Sequence, residues 1–166
     1  LYQRFLLQGQ RAKLGLDPVA GGDDADVELL NDWLGLLREQ AVDFTLAWRR
    51  LADAADGDDA ALQALFSQPQ ALQPWLARWR ARCERDVAVT PQDRAARMRL
   101  ASPWIIPRNH RVEEALEAAS ARDDMGPFDR LLAALRNPYE ETAENAAYAQ
   151  PAPAAVTAGY QTFCGT

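Results

Sequence analysis

Apolar residues recur every three or four positions along most of this 166-residue chain, and that spacing is typical of one face of an α-helix. Val27, Leu30, Leu34 and Leu37 share such a face, and Trp33 joins them. No stretch alternates between apolar and polar residues for long enough to predict a β-strand. The sequence therefore predicts an all-α fold of about seven or eight helices.

Signals for helix ends divide this pattern into separate helices. Asp24 or Asp26 can cap the first helix described above, Asp43 can cap the next and Thr90 can cap a later one. In each case a side-chain oxygen would accept a hydrogen bond from the first helical turn. The last clear helix is expected to end at Asn137, because the residue before a proline avoids helical backbone angles.

Composition changes after that helix. Residues 138–166 are rich in alanine, proline and small polar residues, which favours a chain laid over a surface or left irregular. We therefore expect a helical region over residues 1–137 and an extended tail over residues 138–166. The chain opens at Leu1 inside a helical pattern with no capping residue ahead of it, so we also expect a piece of a longer polypeptide.

The helix predicted around residues 74–86 carries an apolar stripe. Trp75, Trp79 and Cys83 lie four positions apart, which predicts that Cys83 is a buried, inert thiol. Pro74 is expected to be tolerated because it would lie in the first turn of this helix. The arginines expected to face water on this helix and on the helix after Asp43 are Arg49, Arg50, Arg78, Arg82 and Arg85.

Positive charge is concentrated in one segment. Nine arginines lie between Arg78 and Arg111 against Glu84, Asp86 and Asp93, so this segment carries +6 and the remainder −12 of a net charge of −6. A solvated helix face, docking on an acidic surface of a missing part of the protein, and binding to nucleic-acid phosphates all remain open. The net negative charge argues against nucleic acid and anionic membranes as partners, and no aromatic residues interleave on the basic face.

The residue inventory argues against several enzyme classes. The only lysine, Lys13, follows no glycine-rich phosphate loop, and the nucleophile motif GxSxG is absent. The only histidine, His110, belongs to no Cys/His cluster of the kind that holds zinc. His110 could pair with Cys164 as base and thiolate, or it could be an ordinary residue at the start of a helix. We therefore assign no catalytic, cofactor-binding or metal-binding residue to the chain.

Two features that the sequence lacks bear on where the protein is located in the cell. No apolar run approaches the roughly 20 residues that a membrane span needs, and no signal-peptide pattern opens the chain, so we expect a cytoplasmic protein without a membrane partner.

The chain has two cysteines, Cys83 and Cys164. A bridge between them is possible, but the apolar stripe favours a free or externally paired Cys164.

Several segments together resemble a known family. In order and spacing, "RAKLGL" at 11–16, "DFTLAWRRL" at 43–51, "IPRNHRVEEAL" at 106–116, "LLAALRNPYEE" at 131–141 and the terminal "FCGT" are similar to the C-terminal third of the selenoprotein O family, called YdiU in bacteria. The most specific parts are the "PRNHRVEEAL" block and the cysteine third from the end.

The resemblance implies an activity for the parent protein. Members have a protein-kinase-like (pseudokinase) fold that binds ATP with magnesium and transfers AMP to Ser, Thr or Tyr hydroxyls of other proteins, a reaction called AMPylation. The family's residues for ATP and magnesium lie upstream of the matched part, so none is carried onto this chain. The resemblance thus implies two partners, the upstream kinase-like core of the same chain and the protein substrates of the parent.

The resemblance also implies a role for Cys164. The matching residue is cysteine in most bacterial members and selenocysteine in animals, and it is associated with redox control through a disulfide with a cysteine of the upstream core. A thiol on a mobile arm could reach such a partner.

A second function remains open beside the one that the resemblance implies. The chain could instead be a free-standing, non-catalytic helical interaction module that uses its arginine-rich face.

Overall fold

The computed structural model describes residues 2–18, 23–153 and 156. Every regular element within these residues is helical, which confirms the all-α prediction. Two of the nine helices in this part of the chain, α4 and α9, are only four residues long. The helices are α1 Tyr2–Leu14, α2 Asp23–Glu39, α3 Phe44–Ala55, α4 Ala60–Gln63, α5 Pro69–Cys83, α6 Pro91–Ala101, α7 Asn109–Arg122, α8 Gly126–Arg136 and α9 Ala146–Ala149.

Two of the predicted caps are present. Asp43 Oδ1 accepts a hydrogen bond from the Leu46 amide at 2.9 Å and so begins α3. Thr90 Oγ1 accepts from the Asp93 amide at 3.1 Å, and the Thr90 hydroxyl donates to Asp93 Oδ2 at 2.8 Å. Pro91 occupies the first position of α6, where its missing N–H has no helical partner to lose. These local signals act as the sequence predicts.

Two predictions about helix starts are wrong. Asp24 and Asp26 lie inside α2, which begins at Asp23, and Asp26 is buried rather than capping. Pro74 lies in the interior of α5, because that helix begins at Pro69 instead of near Pro74. A proline removes one helical hydrogen bond at such a position, but Pro74 is exposed to solvent, where water can satisfy the freed carbonyl.

The chain divides into two compact units, the first up to Trp104 and the second from Ile105. The first unit contains α1 to α6 and has an apolar core in which the Trp33 ring is central. Its centroid lies 4.5 Å from that of Trp75, 5.7 Å from that of Trp48 and 6.2 Å from that of Phe66. The division at residue 137 into helical region and tail stays a prediction.

Arg49 does not face outward as predicted, because its side chain is buried in the first unit. Its guanidinium Nη1 donates to the Arg99 carbonyl at 3.2 Å and to the Ser102 carbonyl at 3.4 Å. These carbonyls lie at the C-terminal end of α6, where backbone acceptors lack helical partners and the helix dipole favours a cation. Arg49 therefore joins α3 to the end of α6.

The second unit is built around the pair α7 and α8. Asp123 ends α7 with a left-handed backbone (φ 53°), and Asp124 Oδ1 accepts from the Gly126 amide at 2.9 Å just where α8 begins. Leu131 is buried, whereas Phe128 and Leu132, which lie three residues before it and next to it in α8, are partly exposed. A residue pattern can identify a helix without settling how much of each side chain is covered.

Within the described ranges, no helix joins the length and the apolar composition that crossing a bilayer requires.

Candidate functional site

The principal predicted site residue, Cys164, lies outside the described residues. His110 lies in the first turn of α7, as the ordinary interpretation of that histidine predicts. Burial, with the nearby charges of Arg111 and Arg108, lowers the His110 pKa, which favours a neutral imidazole. The alternative, a pairing of His110 with Cys164, involves a residue outside the described part of the chain and is not tested by the structure.

Cys83 is at the end of α5 and packs against the apolar core. Burial raises the pKa of its thiol to about 11. A thiol with such a pKa is almost entirely protonated at neutral pH, and the thiolate is the reactive form. This supports the inert role predicted for Cys83. A groove of about 440 Å³ runs past the side chain, with Ala54, Val87 and Pro91 among its lining residues.

Four arginines of the basic segment that lie at the surface have acidic partners from earlier in the chain. The two nearest pairs are Arg78 Nη1 to Asp32 Oδ2 at 2.5 Å and Arg80 Nη2 to Asp59 Oδ2 at 2.6 Å. The hydrogen bond from Arg80 lowers the Asp59 pKa. Two further pairs, at 3.1 Å and 2.8 Å, are Arg97 with Asp17 and Arg99 with Asp53. Charge that is segregated along the sequence is thus interleaved in space.

Arg82 does not lie on a solvated face, contrary to the sequence-based expectation. It is buried together with Asp26, which is 1% exposed, and with Arg11. Asp26 Oδ2 lies 2.6 Å from Arg11 Nε, and Asp26 Oδ1 lies 2.8 Å from Arg82 Nε. One carboxylate on α2 therefore binds arginines from both α1 and α5. We call these three residues, with Asp86 and Arg94, the buried charge network.

The second half of the network centres on Asp86, in the turn after α5. Its carboxylate lies 3.0 Å from Arg82 Nη1 and 3.3 Å from Arg94 Nη1, and it accepts from the Asp17 amide at 3.1 Å. Burial alone would raise the Asp86 pKa, but these hydrogen bonds outweigh burial and lower it. Burial alone would likewise lower the Arg82 pKa, yet the hydrogen bonds that Arg82 donates to Asp26 and Asp86 raise it. Both groups are therefore held in their charged forms.

The buried charge network also fixes the turn that follows α1. Arg94 Nη1 donates to the Gly15 carbonyl, and Arg82 Nη2 donates to the Asp17 carbonyl at 2.7 Å. Trp79 Nε1 donates to the carbonyl of Leu14 at 2.9 Å. The segment "RAKLGL" is thus held at its backbone by side chains of α5 and α6. All of these groups are engaged with one another, so the arrangement supports a structural role.

Replacing Gly15 by alanine is expected to destabilise the first unit by about 1–3 kcal/mol. Gly15 has a positive φ of 68°, and an added Cβ would lie 2.7 Å from both Arg94 Cγ and Met98 Sδ. Gly35→Ala is the matched control, because a Cβ there meets nothing within 4 Å in the middle of α2. It should stabilise the chain by about 0.5–1 kcal/mol. Urea unfolding measures the change in the free energy of unfolding for both variants. If both variants were destabilised or both were stabilised, the special backbone and packing requirement at Gly15 would be contradicted.

A groove of about 990 Å³ is bordered by α1, the turn after it, and α2. We call it the α1–α2 groove. Its rim includes Arg97 and Asp17, which pair with each other, and Arg11, which is bound to Asp26. The apolar residues that line it are Leu6, Leu7, Leu16, Val27 and Leu30.

No group of three or more His, Cys, Asp or Glu side chains in the described part of the chain is arranged to hold a metal ion.

Sequence reasoning missed the buried charge network, although one signal for it was present. Asp26 precedes Leu30, Trp33 and Leu37 by four, seven and eleven positions, so it lies on the apolar face of α2. A carboxylate on such a face requires a buried cationic partner. The partners are distant in the sequence, since Arg82 is 56 residues away.

Comparison with known proteins gives consistent matches. Residues 1–136 match the family model described as "Protein adenylyltransferase SelO". The chain is 54% identical over 168 residues to "Protein nucleotidyltransferase YdiU" of Chromobacterium violaceum, covering 100% of this chain and 34% of that protein. A protein of the same name from Cereibacter sphaeroides is 50% identical over 165 residues, and one from Rhizobium etli is 47% identical over 168 residues. Each of these two matches covers 99% of this chain and 32% of the relative. The chain thus spans about a third of the length of these relatives.

Proposed function

Since this chain belongs to the SelO family, we propose that it is the C-terminal portion of a cytoplasmic protein adenylyltransferase. The observation that carries this proposal is the family match over residues 1–136, together with 54% identity to a protein named a nucleotidyltransferase. The parent protein would transfer AMP from ATP to Ser, Thr or Tyr hydroxyls of target proteins. ATP and magnesium would bind to the part of the parent outside this chain.

The contribution of this chain would be support and regulation. A helical unit whose charged side chains are bound to one another, as Arg82 is to Asp26 and Asp86, suits a rigid scaffold better than a catalytic site. The ion pairs of Arg78 and Arg80 leave less charge for an outside partner, so the proposal does not rest on the arginine-rich face. We assign redox regulation to Cys164. By exchange with an oxidising disulfide, which takes up two electrons and is reduced to thiols, the Cys164 thiol and a thiol of the kinase-like core would each give up a proton and form a disulfide with each other.

ATP binding provides the first test of the proposal. Calorimetry should detect binding of ATP with magnesium to the full-length protein and none to the 166-residue chain. Tight binding by this chain alone would contradict the division of roles.

Replacing Cys164 by serine in the full-length protein is expected to abolish the redox response of AMP transfer. Transfer of labelled AMP to protein substrates would be measured under reducing and oxidising conditions. Wild type should differ between the two conditions, whereas Cys164→Ser should be equally active in both, because it cannot form the regulatory disulfide.

Cys83→Ala is the matched control, since the raised pKa of the Cys83 thiol removes it from disulfide exchange at neutral pH. This variant should keep the wild-type redox response. Loss of activity by Cys164→Ser under reducing conditions would rule out a purely regulatory role for Cys164.

A further inference from the structure

We propose that the α1–α2 groove is the surface on which the rest of the same polypeptide packs. This inference rests on the proposed function, in which the chain is one portion of a longer protein. Three observations lead to it: the exposure of large apolar side chains on α1, the engagement of the charged groups at the rim, and the length of the relatives.

Large apolar side chains of α1 are exposed, and one of them lines the groove. Phe5 is 62% exposed and Leu6 is 49% exposed, and Leu6 lines the groove together with Val27 of α2. Covering exposed apolar surface is favourable, because the surface is removed from contact with water. An apolar patch with a polar rim is typical of a protein interaction surface.

The rim argues against a small charged ligand as the occupant. Ligand sites place a few polar groups so that they converge on the bound molecule. Here Arg97 is bound to Asp17 at 3.1 Å and Arg11 is bound to Asp26 at 2.6 Å. The chemistry of the groove therefore suits apolar side chains of a protein segment.

The length of the relatives identifies which protein segment. The Chromobacterium violaceum relative aligns with 100% of this chain, yet that alignment covers only 34% of the relative. The remaining part of such a protein must pack against something, and the groove lies within residues 1–136, the part that the family model matches. We therefore assign the groove to a segment of the kinase-like core.

Hydroxyl-radical footprinting of the full-length protein tests this assignment. Leu6 and Leu100 are both leucines on helices of the first unit, and they are 49% and 74% exposed in this chain. An open groove would give Leu6 about two-thirds of the Leu100 oxidation rate. A covered groove should lower that ratio below about one tenth, because the centre of an interface is fully removed from water.

A pair of variants supplies a second measurement. In the full-length protein, Leu6→Asp should lower the midpoint of thermal unfolding, because it would place a charge in a covered surface. Leu100→Asp is the matched control and should leave the midpoint near that of wild type, since Leu100 does not line the groove.

The outcomes separate this inference from the proposed function. A Leu6 to Leu100 ratio near two-thirds overturns the docking surface even if the same sample transfers AMP. Protection of Leu6 that rises with protein concentration would identify a second copy of the protein as the occupant and would also overturn it. Protection that is independent of concentration supports the docking surface even if no AMP transfer is detected, and in that case only the proposed function fails.

Discussion

Replacement of Asp26 by asparagine is expected to destabilise the first unit by about 3–5 kcal/mol, because it leaves two buried arginines without their shared counter-charge. Asp26 is 1% exposed and binds Arg11 Nε at 2.6 Å and Arg82 Nε at 2.8 Å. The loss would loosen α2 from both α1 and α5. Urea unfolding followed by circular dichroism measures the change in the free energy of unfolding.

The matched control is Asp32→Asn on the same helix. Asp32 binds Arg78 at 2.5 Å, but both side chains are about half exposed to solvent. Water screens such a pair, so the variant should cost only about 0–1 kcal/mol. Equal effects of the two substitutions would show that burial does not determine the strength of these ion pairs, and would contradict the importance given to the buried charge network.

Replacement of Trp33 by alanine is expected to cost about 3–5 kcal/mol, because it removes a large buried ring and leaves a cavity. Trp33 is fully buried, and its ring contacts those of Trp48, Phe66 and Trp75. These rings belong to α3, to the turn before α5 and to α5 itself. The variant should therefore weaken the packing of α2 against several elements at once, and chemical denaturation would record the loss.

Phe44→Ala is the comparison for this aromatic cluster. The Phe44 ring lies 6.0 Å from the Trp48 ring, yet it is half exposed at the start of α3. Because much of its surface already contacts water, its removal should cost only about 1 kcal/mol. A loss as large as that of Trp33→Ala would indicate that ring contacts, rather than burial, dominate the energy of this cluster.

Local signals in the sequence predicted much of the fold. The spacing of apolar residues predicted the helical class, and the side chains of Asp43 and Thr90 marked the starts of α3 and α6. These signals succeed because a cap and a helical face depend on residues within one or two turns of each other. The start of α5 was missed, because Pro74 was assigned to the first turn whereas the helix begins at Pro69.

The burial of arginines could not be read from one helix at a time. Arg82 and Arg49 were assigned to water because each was placed opposite the apolar side of its own helix. Burial becomes possible when partners arrive from other helices, as Asp26 does for Arg82 and the end of α6 does for Arg49. The proposed regulatory residue, Cys164, was found by the opposite route, from its position and a family resemblance, and its role stays a prediction.

The distribution of tryptophan between the two units offers a spectroscopic tool. All five tryptophans precede Ile105, so the second unit contains none. Indole emission therefore follows unfolding of the first unit alone, whereas far-ultraviolet ellipticity follows the helices of both units. Coincident transitions would mean that the units unfold together, and separated transitions would mean that they do not. The intact chain can thus report on each unit without truncation or an added label.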